Sequence, residues 1–499
     1  MDETVTGLTG QDVSHVFADP GTFTVNVTAT DKDGGVSNPA SFVIPITTLA
    51  VQGNDLAVGG TSGDDVIAVT LGPAAGDVEV TVNNNGPVTF HMTGQLLVFG
   101  SAGNDELRVN GTDVNDSAVK TESQIVWQAP RAQTIRWSSI EHTTIDLRAG
   151  DDYIVDPGAD TAILGGPGND TIVITATAGG GVVVDGQEGS DTYEIRLGSL
   201  AGPVTVNDQG STGTDTMNVV GTSGNDAIAL SGGEVTSGGQ TIVFNSSVDN
   251  MTVDGGGGDD SVVVSETPVV PLSIEGVTDL VIHGTAGNDR IVFSPGSKPG
   301  EIEARLNGAV QGKFTPTGRI VAYGEAGDDD IEVAGSIALS GWLYGGAGND
   351  RRKGGAGDDV LFGGDGDDLL VGRGGRDLLV GGHGADRIVG NADDDILIAG
   401  TTAFDANDAA LCAIMDEWTS VERGQAERVA NLRGLGTGPR LNGDYFLQKG
   451  VTVFDDAARD VLTGCAGLDW FLFNDTEDKV TDLGADEFKD VLDYILAAV

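Results

Sequence analysis

Residues 345–398 read GGAGNDRRK GGAGDDVLF GGDGDDLLV GRGGRDLLV GGHGADRIV GNADDDILI, six nine-residue units in one unbroken register. An aspartate holds the sixth place of every unit: Asp350, Asp359, Asp368, Asp377, Asp386 and Asp395. So short and strict a period belongs to a stacked array, in which each unit buries its apolar side against its neighbours. Glycine supplies the turns. Gly345, Gly346, Gly348, Gly354, Gly355, Gly357, Gly363, Gly364, Gly366, Gly372, Gly375, Gly381 and Gly384 permit left-handed backbone and let several carbonyl oxygens aim at one point. The three residues after each aspartate run extended, and alternation sends place eight inward: Leu361, Leu370, Leu379, Ile388 and Leu397. Two units make one coil, so alternate units stack about 4.8 Å apart. Asp350, Asp368 and Asp386 are expected on one edge, and Asp359, Asp377 and Asp395 on the other. Arg352 breaks the pattern at place eight, and the first half-coil is expected to be a frayed junction.

Carboxylates stacked at that spacing repel unless a cation lies between them. A hard divalent ion taking roughly six to eight oxygen ligands suits a ring of carbonyls and carboxylates, whereas magnesium demands a tight octahedron and keeps its waters. Calcium, as several ions, is the cofactor expected at the glycines and aspartates just named. Without metal, repulsion and glycine entropy oppose folding; with it, binding energy becomes folding energy. A disordered acidic tract would show the same composition. The apolar place eight in five of the six units argues against that reading.

The chain carries 76 acidic and 26 basic residues among 499, a formal charge of −50, and 78 glycines. Nucleic acid and anionic lipid would be repelled by such a surface, which excludes them as direct partners. Hydrophobic residues make up 39% and aromatic ones 5%, a balance that fits strands packed with Val, Ile and Leu across several domains. Two cysteines, Cys412 and Cys465, allow one disulfide or two buried thiols, and they have neither zinc spacing nor a CxxC motif. No secretory signal and no transmembrane stretch is legible.

Upstream, the same turn recurs at wider spacing. Modules open on GTSGDD, GTSGND and GTAGND and close on GSAGND, GGGGDD and GEAGDD, with Asp65, Asp226 and Asp289 at place six of the openings and Asp105, Asp260 and Asp329 at place six of the closings. Alternating runs such as VEVTV, EVTSGGQTIVF and EIEARLNGAVQGKF lie between them and read as strands or hairpins. Asp152 and Asp170 stand one coil apart and are candidate ligands; Asp191 follows in GQEGSDTYE. A glycine-aspartate turn needs no metal, because these are good turn residues in any case.

After Ile398 the spacing becomes helical, with Leu411, Ile414, Met415 and Trp418 on one face and Thr419 with Glu422 as a capping box for a second helix. FDDAARDVL and GCAGLDWFL then restore the nine-residue phase, adding Asp460 and Asp469 as ligands and Leu462 and Phe471 inward. Phe488, Val491, Leu492, Ile495 and Val499 form an amphipathic face in the final segment.

The array resembles the RTX (repeats-in-toxin, haemolysin-type) family of secreted bacterial proteins. That resemblance implies export of an unfolded chain by a type I route, folding outside the cell on meeting calcium, and a C-terminal segment that serves as export signal or as a capping helix. Residues 15–47 resemble the second half of a PKD-type immunoglobulin-like domain through His15, Phe17, Pro20, Gly21, Thr22, Phe23, Val25, Val27, Ala29, Asp31, Asp33, Gly34 and Gly35. The earlier strands of that domain are not legible, so a piece of a longer protein is expected.

The fold class read from the chain is all-β: a parallel β-roll or β-solenoid with calcium-binding turns, preceded by a partial Ig-like β-sandwich and interrupted by a small helical insertion. Its divisions are a truncated PKD domain at 1–48, degenerate solenoid modules at 49–343, the nonapeptide roll at 344–400, the helical insertion at 401–450, and final repeats with a capping or secretion segment at 451–499. No HExxH, GxSxG or GxxxxGK[ST] motif occurs, and His15, His91, His142, His283 and His383 are isolated, so no enzyme is expected. The expected function is an extracellular calcium-binding structural or adhesion-type protein, with cell-surface polysaccharide or protein as partner. The alternative is the calcium-dependent folding and export module of a secreted lipase, protease or polysaccharide-modifying enzyme whose catalytic domain lies elsewhere. A pore-forming toxin is a third class, disfavoured because no apolar or amphipathic pore segment is present.

Overall fold

The computed structural model describes residues 21–46, 48–129, 132–156, 161–177 and 179–492. It divides into two compact units, residues 1–220 with 239–251 and residues 221–238 with 252–499. Both are built of short strands that pair in parallel with the strand one coil further on.

In the second unit one ladder runs through Asp279–His283, Ile320–Ala326, Gly341–Ala347, Val360–Asp365, Leu378–His383, Ile396–Ile398, Trp470–Phe473 and Phe488–Val491. The other runs through Arg290–Pro295, Asp330–Val333, Arg351–Lys353, Leu369–Arg373, Arg387–Ala392, Val461–Ala466 and Lys479–Val480. Period-two alternation decides what lies between the ladders. Leu361, Leu370, Leu379, Ile388, Leu397, Leu462 and Phe471, all at place eight, are fully buried. The wider modules differ by hairpins added to a rung, as in Arg290–Pro295, Ile302–Leu306 and Ala309–Phe314.

The helical insertion lies over the outer face of the first of these ladders. Helix α1 (Asp408–Trp418) is capped by the Asn407 side chain, which accepts the Ala410 N–H, and helix α2 (Gln425–Leu432) follows. Leu411, Ile414, Met415, Trp418, Val429 and Leu432 bury Trp342, Val360, Leu378, Ile396 and Trp470, the place-seven residues that would otherwise face water. Trp418 also donates its indole N–H to the Asp394 carbonyl at 3.0 Å. Beyond the insertion the register is restored, because Arg387–Ala392 pairs directly with Val461–Ala466 and Ile396–Ile398 with Trp470–Phe473.

In the first unit, Val66–Leu71, Glu106–Asn110, His142–Asp146, Thr161–Leu164, Val182–Asp185, Val204–Val206 and Gln240–Phe244 form one parallel ladder. Ser117–Thr121, Tyr153–Asp156, Thr171–Ile174, Thr192–Arg196 and Thr216–Val220 form another. Gly21–Val27 and Ala40–Ile46 pair antiparallel, and the Asp31 carboxylate accepts the N–H groups of Asp33 and Gly35 in the turn after the first strand. His15, Phe17 and Pro20 lie outside the described residues.

Four local expectations are corrected. Arg352 is fully buried and ion-paired, so the first half-coil is not frayed. Thr419 closes α1 by donating its hydroxyl to the Met415 carbonyl, while α2 starts at Gly424 without a side-chain cap. Cys412 and Cys465 are both exposed and free, neither bridged nor buried. Phe488–Val491 is a strand on the last rung rather than one face of a helix, because each of its residues finds a partner in Trp470–Phe473; Ile495 and Val499 lie outside the described residues.

Leu379 is buried between the two ladders at mid-array, and Leu379→Ala is expected to lower stability by about 2–5 kcal/mol. Leu435→Ala, at a side chain 72% exposed, should change it by no more than about 0.5 kcal/mol. Thermal unfolding in calcium checks both.

Candidate metal centre

The place-six aspartates are joined into files by one repeated contact. The backbone N–H of each donates to Oδ1 of the place-six aspartate one coil further on. Asp350 donates to Asp368, Asp368 to Asp386 and Asp386 to Asp460 along one edge, at 2.7 or 2.8 Å. Asp359 donates to Asp377, Asp377 to Asp395 and Asp395 to Asp469 along the other, at 2.8 or 2.9 Å. The same contact runs Asp116, Asp152, Asp170, Asp191, Asp215 in the first unit, and Asp289, Asp329, Asp350 into the array. Asp65 donates to Asp105, and Asp226 to Asp260.

What happens to the other oxygen, Oδ2, depends on place two of the turn. At the heads of files this residue is threonine. Thr61, Thr112, Thr222 and Thr285 each donate their backbone N–H and hydroxyl to the carboxylate of Asp65, Asp116, Asp226 and Asp289 respectively. A β-branched residue avoids left-handed backbone, which keeps this N–H aimed inward. Burial pushes the Asp65 carboxyl up, yet hydrogen bonds from Asn83 and Thr61 outweigh it and hold the group below its usual value. Gly355 plays the threonine's part for Asp359 through its N–H, at 2.7 Å.

Inside the files place two is left-handed, with φ of 106° at Gly364, 82° at Arg373, 107° at Gly382, 90° at Asn391 and 75° at Cys465. Oδ2 of Asp368, Asp377, Asp386, Asp395 and Asp469 is then buried with no hydrogen-bond partner, as it is in Asp105, Asp152, Asp170, Asp191, Asp260, Asp329 and Asp460. Glycine at place one keeps the space beside that oxygen open. A Cβ at Gly372, Gly381, Gly390 or Gly464 would collide with Oδ2 of Asp377, Asp386, Asp395 or Asp469. Burial pushes Asp386 up to about 8, Asp460 to about 9, Asp469 to about 7, Asp152 to about 7 and Asp170 to about 8. Asp377 and Asp395 are also raised well above the usual range, by burial and then by neighbouring carboxylates. Buried carboxylate oxygens in file, without a hydrogen-bond partner and in the tandem array beside a place-one glycine at Asp368, Asp377, Asp386, Asp395 and Asp469, fit a hard cation with oxygen ligands.

One rung carries its own cation. Arg352 sits at place eight and turns its guanidinium to the file, where it donates to Asp350 Oδ2 and to the Gly363 carbonyl at 2.8 Å and lies 3.4 Å from Asp368 Oδ1. Both oxygens of Asp350 are therefore served by the protein, as are those of Asp359. The two first aspartates of the array thus differ from Asp368, Asp377, Asp386 and Asp395, although all six look alike in sequence. Sequence reading also passed over Asp116 and Asp215, which GTDVND and GSTGTD could have shown, and the threonine at place two, whose β-branching is the signal that separates the two kinds of turn.

Residues 344–379 and 371–401 match the family model of the RTX calcium-binding nonapeptide repeat, in four copies, and residues 1–44 match the PKD domain. No curated protein matches the chain. The chain carries RTX calcium-binding repeats after an N-terminal PKD domain, and calcium is the ion its repeats bind. Such repeats are typical of secreted bacterial proteins, and no helix among the described residues is long and apolar enough to cross a membrane.

Two outcomes test this geometry. A carboxyl whose folded pKa lies above its unfolded value of about 4 holds its proton more firmly when folded, so it stabilises the fold fully below about pH 4 and loses that effect as pH rises through about 8. In chelator the chain should therefore retain more β signal at pH 5 than at pH 9; the opposite order would count against buried, unpaired carboxylates. In saturating calcium Arg352→Leu should cost less than the roughly 3–5 kcal/mol expected for stranding Asp350 and Asp368, and the variant should need more calcium to fold than wild type, because the ion must then replace the guanidinium.

Proposed function

We propose that this chain is an extracellular calcium-binding structural or adhesion-type protein whose roll folds when calcium binds. The observation that carries the proposal is the file of buried carboxylates with an unserved oxygen, from Asp368 and Asp377 to Asp460 and Asp469. Asp368, Asp386 and Asp460 on one edge and Asp377, Asp395 and Asp469 on the other would hold the ions, together with carbonyls of the glycine turns. When bound, calcium supplies the positive charge that lets neighbouring carboxylates ionise together. The chain's own part is to fix Oδ1 through the backbone N–H of the preceding turn, to keep Oδ2 in reach behind a glycine, and to seal the coil with the place-eight residue.

Secretion accords with this arrangement. Calcium is scarce inside cells and abundant outside, so a roll that needs the ion stays unfolded until export. The N-terminal PKD match and the large share of the chain given to stacked strands support a structural role, with a cell-surface polysaccharide or protein as the partner class.

Circular dichroism of the full chain in chelator and then in added calcium tests the reading. The β signal of the array should be lost in chelator and return with a midpoint in the range of roughly 10⁻⁶ to 10⁻³ M. An unchanged spectrum would sink the folding claim. Asp386→Ala should weaken calcium binding more than Asp350→Ala, because Arg352 already serves the Asp350 carboxylate; equal losses in a calcium titration would contradict the division of the array.

A further inference from the structure

In the first unit, three buried carboxylates converge where the nonapeptide register explains only two. Asp191 and Asp215 hold place six of successive turns, whereas Asp208 belongs to no turn position and follows the strand Val204–Val206. Oxygens of all three lie within 4.8 Å of one another, and the residues are only 1%, 5% and 4% exposed in the order Asp191, Asp215, Asp208. The chain contains no lysine or arginine between Arg196 and Arg290, and Arg196 pairs with Glu194 instead.

Hydrogen bonds orient each carboxylate, and one oxygen of Asp191 keeps no partner. Asp191 Oδ1 accepts the Asp170 N–H at 2.8 Å, and Asp215 Oδ1 accepts the Asp191 N–H at 2.8 Å. Asp208 Oδ1 accepts the Gly210 N–H at 2.7 Å, and its Oδ2 accepts the Tyr193 hydroxyl at 2.6 Å. Asp191 Oδ2 has no hydrogen-bond partner. A Cβ at Gly186 would collide with this oxygen, so a glycine keeps the space beside it open.

Tyr193 explains how the third carboxylate is brought in. It occupies place eight, where five of the six units of the tandem array have leucine or isoleucine, and it is 1% exposed. Its hydroxyl accepts the Gly186 N–H at 2.7 Å while donating to Asp208. A buried phenol is an awkward substitute for leucine unless its oxygen has work to do, and here it holds Asp208 against the file.

We propose that Asp191, Asp208 and Asp215 form a separate site for a hard divalent cation, with Tyr193 positioning Asp208. An all-carboxylate donor set without nitrogen or sulfur selects calcium over zinc or copper. The site depends on Asp208 and Tyr193, which belong to no nonapeptide turn, so it stands or falls apart from the tandem array.

Equilibrium dialysis of the full chain against calcium tests it, with ions bound per chain and their affinities as the readout. Asp208→Asn keeps an acceptor for Tyr193 but removes a charge, and the folded variant should bind one ion fewer than wild type. The same count and affinities would overturn the site. Should Asp208→Asn fail to fold, Tyr193→Phe decides: one ion bound about tenfold more weakly supports the site, and wild-type affinities overturn it. Failure of the array to bind calcium would lower the count in every chain without changing the difference between them.

Discussion

A backbone N–H donated by one turn aspartate to the carboxylate of the turn aspartate one coil on is the contact from which the rest of the chain's organisation follows. It satisfies a donor that would otherwise be buried without a partner, and it aligns the carboxylates in file. That alignment creates the electrostatic problem. Each rung adds a buried anion next to the last, and a low-dielectric interior magnifies their repulsion.

The chain meets this problem in different ways. Threonine at the head of a file adds a hydroxyl and an N–H to the second oxygen, as at Thr285. Arg352 adds a guanidinium to the oxygen of Asp350. Where none of these is present, as at Asp377 and Asp395, the second oxygen keeps no hydrogen-bond partner. Unpartnered oxygens are thereby concentrated in the interior of the files, while their starting rungs are completed by groups the chain brings itself.

Much of this was legible in the residues. Place six, place eight and the two-edge register follow from a period of nine and the pleat of a strand, and the return of phase at Asp460 and Asp469 was visible across the helical stretch. Arg352 was not, because a charged residue at an inward place reads as a defect until its partners two residues back and one coil on are seen together. The division between self-served and unserved aspartates was hidden for a different reason. It depends on which way one peptide faces, and glycine, arginine, asparagine and cysteine all occupy the left-handed place two. Asp208 escaped notice because abundant acidic residues conceal the few that converge. The strand at Phe488–Val491 shows tertiary pairing overriding a helical pattern of apolar residues.

The insertion that carries the two helices has a consequence of its own. Asp386 and Asp460 make the same contact as their neighbours although 74 residues separate them instead of 18. Closing the longer loop costs only about 1 kcal/mol more, since the penalty grows with the logarithm of length. The corner after Ile398 is therefore a natural splice point, where a folded passenger can be grafted into the roll without shifting a single rung, and sequence length can vary there while the ion-binding frame stays the same.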